Sequence, residues 1–348
     1  MNNTTGAGSS PCYILAVETS CDDTSAAVIR DGRTILSNVV SSQIETHQQF
    51  GGVVPEIASR KHVESVTLMI EEAVRQSGIG RGDLSAVAVT QGPGLVGSLL
   101  VGMVAGKALA YTLQVPLIAV HHIAGHIYAN ALVHELEYPA MALVVSGGHT
   151  ELVLVEAPGR FRIIGRTRDD AVGEAYDKVA RALGMPYPGG PYVDRMAHEA
   201  DAALPLPRSW LEPDSYDFSF SGLKSAVMAA INQAKMKSLP LDAAQVARGF
   251  QESVSEVLTE KALRAVRAYG AKQLLLAGGV AANRGLRESL APRCQAAGVP
   301  LLAPPIGLCT DNAAMIGAAA FLKWERGQYA PLALKAEPLL SLESWSVQ

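Results

Sequence analysis

The stretch YILAVETSCDDTSAAVIRDG, residues 13–32, decides the fold of this 348-residue chain. An apolar, β-branched segment, a polar bend and a second apolar segment predict a strand, a turn and a strand. MALVVSGGHTELVLVEAPG, residues 141–159, repeats that pattern. Each stretch opens about one half of the chain, so together they predict a pseudo-repeat of related α/β units whose bends face a central cleft.

Helix and strand signals surround the two hairpins. Residues 55–78 have apolar side chains at helical spacing and end in glycine, and a strand, a Gly-Pro turn and an apolar helix follow. The region of about 186–241 is rich in Pro, Asp and Ser and predicts an inserted subdomain with short helices. A long helix over about 243–269, a strand leading through Gly-Gly into a helix near Asn283, and a final strand, loop and helix complete an α/β order.

Length and composition limit the classes of function. At about 150 residues per domain the chain predicts two domains, and two lobes imply a cleft. A composition of 49% hydrophobic and 18% charged residues excludes disorder for most of the chain. The net charge of −4 excludes a chain-wide basic field, so a local patch or a partner must help if RNA binds. The four cysteines lack CxxC spacing and indicate neither a zinc knuckle nor a disulfide scaffold.

The N-terminus and the apolar segments bear on localisation. Residues 1–11 are polar and uncharged, unlike a secretory signal, and predict a disordered tail. The most apolar region, Gly97 to Val133, is interrupted by polar residues and by Lys107, which predicts that no run spans a bilayer. We therefore expect a cytoplasmic protein without membrane contact.

Two histidines and a distant carboxylate form the first candidate site. His122 and His126 are four residues apart on a predicted helix, which puts them on one face about 5 to 6 Å apart. That spacing suits a metal ion, although core or surface histidines show it too. A zincin protease needs a glutamate where Ile123 stands, so that class is not favoured. Asp311, before a small-residue helix, is the candidate third ligand or equally the N-cap of that helix.

Glycines and acids gather at other predicted bends. VSGGHTE, residues 145–151, and LLAGGVAANRGL, residues 275–286, place Gly-Gly beside strand ends, where amides hold phosphate or form plain turns. ETSCDDTSAAV, residues 18–28, groups Glu18, Asp22 and Asp23, which could orient a metal, a water or an attacking amine, or form a solvated turn.

A further stretch, residues 169–194, combines a helix with a Pro-Gly loop. Asp177 lies on the predicted helix, and Gly189, Gly190 and Asp194 lie on the predicted loop. Polar groups on such a loop often clamp a ligand, and an ordinary helix-loop junction explains the pattern as well.

Taken together, these stretches resemble the TsaD family, formerly YgjD or Gcp, the bacterial branch of a nearly universal tRNA-modifying family. The resemblance covers about residues 13–335. Ten landmarks occur in the family's order: ETSCDDT, HQQFGGVVPEIASRKH, TQGPGLVGSLLVG, HHIAGH, VSGGHTEL, DDAVGEAYDKVAR, YPGGP, FSFSGLK, AGGVAANRGLR and CTDNAAMIG.

The resemblance implies an α/β, two-lobed actin/hsp70/sugar-kinase-like (ASKHA) fold with a central nucleotide cleft. We expect an N-terminal lobe over 12–135, a C-terminal lobe over 136–310 with a helical insertion at about 190–240, and a final helix at about 311–326 that packs back on the first lobe. It also implies one divalent ion per subunit, Fe2+ or Zn2+, on His122, His126 and Asp311. The adenylate would be bound by nine residues: Val145, Ser146, Gly147, Gly148, His149, Asp177, Gly190, Asp194 and Asn283.

The implied reaction moves threonylcarbamoyl from threonylcarbamoyl-AMP to N6 of the adenosine beside the anticodon, in tRNAs that read codons beginning with A. Asp22 and Asp23 are our candidates for deprotonating the amine, and the amide of Gly279 joins the first glycine pair around the phosphate. An ATP- or ADP-like nucleotide would fit the same cleft. The implied partners are tRNA, a TsaB-like paralogue, a TsaE-like ATPase and a TsaC-like synthase that supplies the donor, with Ile57 to Val74 as the candidate pairing face.

Three other functions stay open at this point. A metallopeptidase rests on the histidine pair alone, and Ile123 argues against it. A non-catalytic binding subunit of the same fold would lack the metal residues, which are intact here. An ATP-driven kinase or chaperone of the fold class does not have the HHIAGH site.

Overall fold

The computed structural model describes residues 10–347, so the predicted tail lies outside the described residues except for its last two positions. The first half of the chain contains β1 (Tyr13–Glu18), β2 (Asp23–Arg30), β3 (Thr34–Ser42), α1 (Ile44–Gln48), α2 (Pro55–Ser77), β4 (Ala86–Gly92), α3 (Val96–Leu113), β5 (Leu117–His121) and α4 (His122–Tyr128). The second half contains β6 (Ala140–Val145), β7 (Thr150–Ala157), β8 (Arg160–Arg166), α5 (Val172–Ala182), α6 (Gly189–Glu199), α7 (Ser221–Met236), α8 (Ala243–Tyr269), β9 (Leu274–Ala277), α9 (Arg284–Ala296), β10 (Leu301–Leu302) and α10 (Ala313–Trp324).

The two halves build sheets of the same topology. The strand order is β3-β2-β1-β4-β5 in the first sheet and β8-β7-β6-β9-β10 in the second. In each sheet three consecutive strands pair antiparallel, and the remaining two strands continue the sheet in parallel. The hairpins predicted at 13–32 and 141–159 are β1–β2 and β6–β7, and the predicted pseudo-repeat is confirmed.

Three hydrophobic clusters arrange the sheets and helices in layers. One cluster packs α2 and α3 on the outer face of the first sheet, and another packs α5 to α9 on the outer face of the second. The third lies between the sheets around α4 and α10. Side chains of β1 alternate accordingly: Leu15 and Val17 belong to the outer cluster, while Ile14 and Ala16 belong to the inner one.

Helix α10 returns the chain to the first sheet and packs against α4, β1 and β2. Its residues 313–320 are all buried, and six of the eight are alanine or glycine, which lets the backbone approach the sheet closely. A Cβ atom on Gly317 would lie 2.5 Å from Ile29 Cγ1, so no larger residue fits there without a shift. The lobe boundaries at 12–135 and 136–310 stay predictions.

The predicted Pro-Gly loop is wrong, because Gly190 and Asp194 lie on a helix. Helix α6 begins at Gly189, directly after Pro188, and includes both residues. Pro191 is compatible with this helix because the first-turn N–H groups have no intrahelical acceptor, so a missing N–H there costs nothing. The run of turn-forming residues is therefore the start of a helix.

Helix α3 corrects the prediction that no apolar run reaches bilayer length. Its 18 residues have a mean hydropathy of 1.5, enough to cross a membrane by length and composition alone, and 33% of them are buried in the fold. A Cβ atom on Gly106 would lie 2.1 Å from Val89 Cγ1, which shows how closely α3 packs on β4. Core helices pass the same test of length and composition.

Candidate functional site

The predicted metal residues meet between the two sheets. His122 and His126 lie on α4, which begins directly after β5, and Asp311 lies in the loop before α10. Asp311 Oδ1 is 3.1 Å from His126 Nε2 and 3.5 Å from His122 Nε2. One ligand atom from each residue lies within 4.8 Å of the other two. Asn312, not Asp311, caps α10 by accepting from the N–H of Met315, which leaves the Asp311 carboxylate to the cluster.

This cluster fits a metal ion by its chemistry and by its unpaired atoms. Among residues 10–347, Nδ1 of His126 is buried without a hydrogen-bond partner, and Nε2, 3.1 Å from Asp311 Oδ1, makes no aligned hydrogen bond. Burying such polar atoms without a partner costs free energy, and a coordinated ion would remove that cost at one of them. Two imidazoles and a carboxylate are donors that suit a divalent transition metal.

The charges in the cluster influence one another strongly. Burial disfavours the charged form of His122, but the carboxylates of Asp311 and Glu18 outweigh it and raise the pKa of His122 to about 9. Burial lowers the pKa of His126. Burial also acts to raise the pKa of Asp311, yet the two histidines hold it well below its usual range. Two buried carboxylates around two imidazoles favour the binding of a cation.

The acidic bend between β1 and β2 lies beside the cluster. Asp23 is the first residue of β2, and its Oδ1 is buried without a hydrogen-bond partner in the part of the chain that the structure describes. Burial raises the pKa of Asp23 to about 7, and the charges of Asp311 and Asp22 act in the same direction. Burial raises the pKa of Asp22 as well. A carboxylate whose pKa lies near neutrality can accept a proton at the working pH of an enzyme.

The turn between β6 and β7 presents two open glycines. Val145 ends β6, and the turn closes as the Ser146 N–H donates to the carbonyl of His149 at 2.8 Å. A Cβ atom on Gly147 or Gly148 would meet no atom of the described residues within 4 Å, so both glycines border open space. Burial lowers the pKa of His149 to about 4, and the two metal-site histidines contribute, which places this turn beside the cluster.

A second glycine pair packs against the first turn. Gly278 has a φ of +93°, and a Cβ atom there would lie 2.4 Å from the last carbonyl oxygen of β6. Only glycine allows both the left-handed backbone and this close approach. Gly279 follows at the start of a 3-10 turn and borders open space. The two pairs therefore lie at neighbouring strand ends of the second sheet.

Asp194 and Asn283 meet at the start of α9. The two carboxylate oxygens of Asp194 accept from the N–H groups of Gly285 and Arg284, both at 3.0 Å. Asn283 caps the same helix, because its Oδ1 accepts from the N–H of Leu286 at 2.7 Å. Both side chains thus satisfy free N–H groups at a helix start and still have lone pairs left for a ligand.

Asp177 and Gly190 meet at the start of α6. Asp177 Oδ1 accepts from the N–H of Gly189 at 2.6 Å, and burial raises the pKa of Asp177. A Cβ atom on Gly190 would meet no atom within 4 Å. Within residues 10–347, no hydrogen bond or ion pair links these residues or the α9 pair to the metal residues. The turn between β6 and β7 connects to this region, because the Ser146 carbonyl accepts from the N–H of Gly173 on α5, the helix that carries Asp177.

A family model described as "TsaD: tRNA N6-adenosine threonylcarbamoyltransferase" matches residues 34–318. The chain belongs to the TsaD family. Two curated relatives with the name tRNA N6-adenosine threonylcarbamoyltransferase are each 60% identical over 331 residues, which is 95% of this chain. One is from Halalkalibacterium halodurans and is covered over 96% of its length, and the other is from Geobacillus kaustophilus and is covered over 97%.

Solved structures resemble this TsaD family member in fold alone. Full-length HypF aligns with a TM-score of 0.62 at 14% identity, over 92% of this chain and 47% of HypF. Component A of the (R)-2-hydroxyglutaryl-CoA dehydratase from Acidaminococcus fermentans aligns with a TM-score of 0.55 at 13% identity, over 90% of this chain and 98% of that one. The predicted two-lobed ASKHA fold is confirmed.

Family membership also separates the functions that the sequence left open. The TsaD family is a family of tRNA-modifying acyltransferases, which favours neither a metallopeptidase nor a non-catalytic binding subunit. The metal residues that a binding subunit would lack are present and close together.

The sequence did not assign every polar contact of the metal site in this TsaD family member. Glu18 Oε2 lies 3.2 Å from His122 Nδ1, and Ser20 Oγ lies 3.1 Å from the same nitrogen. Thr90 Oγ1 donates to Glu18 Oε2 at 2.5 Å. Glu18 belonged to the acidic bend in the sequence reading, and Thr90 carried no signal because its contact depends on the pairing of β1 with β4.

Replacing Asp194 tests how much the α9 start depends on it. Asp194→Ala removes the acceptor for two N–H groups, and we expect the free energy of unfolding without ligand to fall by about 1–2 kcal/mol. Urea denaturation measures this. The control Asp201→Ala removes an exposed carboxylate beyond α6 and should change stability by less than about 0.5 kcal/mol. Equal stability of the Asp194 variant and the wild type would contradict the structural role.

Proposed function

We propose that this chain transfers the threonylcarbamoyl group from threonylcarbamoyl-AMP to N6 of the adenosine beside the anticodon, in tRNAs that read codons beginning with A. The N6–C bond forms, the bond from that carbon to the phosphate oxygen breaks, N6 loses a proton and AMP leaves. The observation that carries this proposal is the cluster of His122, His126 and Asp311 beside the Gly147–Gly148 turn, in a member of the TsaD family.

The metal would be held by His122, His126 and Asp311, with Fe2+ or Zn2+ as the ions that suit this donor set. When bound, such an ion acts as a Lewis acid and as a template for oxygen atoms of the donor. The protein's contribution is to fix two imidazoles one helical turn apart and to bring a carboxylate to them from a distant loop.

The donor would lie across the strand ends of the second sheet. Gly147, Gly148 and Gly279 border open space, and backbone amides at such glycines are suited to the phosphate. His149, kept neutral by burial, can donate one hydrogen bond without adding charge. Val145 and Ser146 fix the backbone of this turn.

The nucleoside end of the donor would reach the starts of α6 and α9. Asp177, Gly190, Asp194 and Asn283 lie there, and the three side chains keep acceptor capacity beyond their contacts with the protein. An ATP- or ADP-like nucleotide would use the same groups. We place the reaction in the cytoplasm, where its tRNA substrate is found.

The acidic bend supplies the candidates for the base. Asp23 is the stronger of the two, because no described residue makes a hydrogen bond to its Oδ1 and its pKa lies at about 7. Asp22, also buried, is the alternative. The amine of adenine is a weak nucleophile, so removal of its proton during attack on the activated carbonyl would assist the reaction.

The pH dependence of transfer tests this base. Asp23 accepts a proton only when ionised, and its pKa is raised, so kcat/KM should fall as pH drops through about 7 and level off above it. Asp23→Asn should lower kcat/KM by about 100-fold or more and remove that step. Single-turnover rates with pre-bound tRNA measure it. If the step survives in Asp23→Asn and disappears in Asp22→Asn, the base is Asp22.

Reconstitution tests the proposed function itself. The full chain, threonylcarbamoyl-AMP, a suitable tRNA and the partner proteins should yield the modified nucleoside, detected by mass spectrometry. Loss of a residue that only supports a metal ligand typically lowers activity about 10- to 100-fold. Asp311→Asn should lower the yield by more than that, because Asp311 is a proposed ligand itself. Asp201→Asn, a surface carboxylate, should leave it unchanged. No modified nucleoside from the complete mixture, or glycoprotein cleavage that survives rigorous repurification, would contradict the proposal.

The partners follow from charge and from one exposed apolar face. With a net charge of −4, the chain needs help to hold tRNA, which a TsaB-like paralogue and a TsaE-like ATPase would give, while a TsaC-like synthase supplies the donor. Helix α2 exposes Val63 and Leu68, and α3 exposes Val96, Leu100 and Val104. We assign this face, which extends the predicted Ile57–Val74 surface onto α3, to the paralogue.

A charge on this face should prevent pairing. Val104 is 62% exposed, and Val104→Glu should weaken binding of the paralogue by at least about 10-fold, because a carboxylate would be buried in an apolar interface. Sedimentation velocity with the partner measures this. Met236→Glu, at an 86% exposed position on α7, is the matched control and should bind normally. Equal binding by both variants would place the interface elsewhere.

A further inference from the structure

Glu18 is a fully buried carboxylate to which the proposed reaction gives no role. A buried charge is tolerated only when hydrogen bonds and opposite charges compensate it. Its Oε1 accepts from the backbone N–H of Ser20 at 2.5 Å, and its Oε2 accepts from Thr90 Oγ1 at 2.5 Å. The third contact of this carboxylate is His122 Nδ1, at 3.2 Å from Oε2.

The sheet itself fixes this contact. β1 and β4 are parallel neighbours with Val17 opposite Val89, so Glu18 and Thr90 follow side by side at the same sheet edge. β5 is the next parallel strand, and α4 starts directly at its end with His122. The carboxyl ends of three neighbouring strands therefore supply the carboxylate, the hydroxyl and the imidazole, and no flexible loop separates them.

The hydrogen bonds decide which nitrogen of His122 faces the cluster. An ionised carboxylate only accepts, so the Nδ1 atom beside Glu18 must carry a proton. Nε2 of the neutral ring then has its lone pair directed at Asp311, 3.5 Å away, which is the orientation that a metal ligand needs. Ser20 Oγ, 3.1 Å from Nδ1, is placed to share the same proton.

We propose that Glu18 is a positioning residue for the metal site, which holds His122 in the tautomer and ring orientation that direct Nε2 to the ion. This inference rests on the metal site proposed above. Of the two imidazoles, His122 alone is held in this way: Nδ1 of His126 is buried without a hydrogen-bond partner among the described residues. The loss of Glu18 therefore acts through His122.

The variant Glu18→Gln tests this role because the amide keeps the size of the side chain and reverses one hydrogen bond. If the amide oxygen keeps the N–H of Ser20, the NH2 group faces Nδ1 and favours the tautomer with the proton on Nε2, which cannot bind a metal. In the reverse orientation the NH2 group faces the N–H of Ser20, and this arrangement is unfavourable because both groups are donors and neither can accept. We expect Zn2+ affinity, measured by chelator competition, to fall about 10- to 100-fold.

A second readout needs no metal. Nitrogen-15 NMR of the metal-free protein reports which ring nitrogen is protonated. In the wild type, Nδ1 of His122 should carry a proton at a pH where the ring is neutral. In Glu18→Gln the proton should move to Nε2. A carboxylate that merely stabilises the fold would leave this tautomer unchanged.

Matched variants separate the hydrogen bond from charge and from folding. Asp22→Asn removes a carboxylate from the same bend that makes no hydrogen bond or ion pair with His122 among residues 10–347, and it should keep Zn2+ affinity within about 3-fold. An equal loss of affinity in both variants would mean that charge alone acts. If Glu18→Gln fails to fold, Thr90→Val replaces it as the test. Thr90→Val leaves Glu18 charged but removes one of its hydrogen-bond donors, so it should lower Zn2+ affinity by less than the loss expected for Glu18→Gln.

Normal Zn2+ affinity and an unchanged tautomer in Glu18→Gln would overturn the inference. A wild type that binds no Zn2+, Fe2+ or Co2+ would overturn the metal site itself.

Discussion

The packing of α10 between the two sheets is the constraint on which the site depends. The start of this helix is fastened to the first sheet, because the N–H of Ala313 donates to Ser25 Oγ at 2.8 Å and that of Ala314 donates to Asn38 Oδ1 at 3.2 Å. These bonds satisfy N–H groups that the helix cannot satisfy itself. They also place the loop just before them, and with it Asp311, against α4. Small residues on both helices make this approach possible.

The same arrangement puts several ionisable groups into the interior. Glu18 and His126 are almost completely buried, and Asp311 is mostly so. Charges in such a place cost several kcal/mol each unless they are compensated. Here each carboxylate faces an imidazole, and a cation at the ligand atoms would compensate the remaining negative charge. Because the folded arrangement creates the site, a bound metal ion would be thermodynamically linked to the stability of the α10 junction.

The sequence predicted the regular elements and drew attention to His122, His126 and Asp311, which the fold brings together, for physical reasons. Hairpins with buried strands and helices such as α2 and α8 carry strong periodic signals, and a histidine pair on a helix needs only local spacing. The strands β3 and β8 were missed, because both lie at sheet edges and mix polar with apolar residues, which weakens the pattern. The α6 start was taken for a loop because Pro and Gly are also compatible with the first turn of a helix.

The role of Glu18 and the position of Asp311 could not follow from local sequence. The contact between Glu18 and His122 joins residues 104 apart, and it exists only because β1, β4 and β5 are parallel neighbours. The Asp311 carboxylate had two equally good local interpretations, and the structure decides between them by placing Asn312 at the cap. Long-range pairing, not residue type, carried the missing information.

The duplication of the fold has a chemical consequence, because the two equivalent bends have opposite electrostatic character. The bend between β1 and β2 carries Asp22 and Asp23, whereas the turn between β6 and β7 offers Gly147 and Gly148, which border open space. A phosphate is attracted to the amides and repelled by the carboxylates. An activated phosphate donor entering the cleft would therefore orient with its leaving group toward the second sheet and its reactive carbon toward the acids. The same polarity would keep the departing AMP away from the base, so that a duplicated scaffold would hold the donor in one orientation.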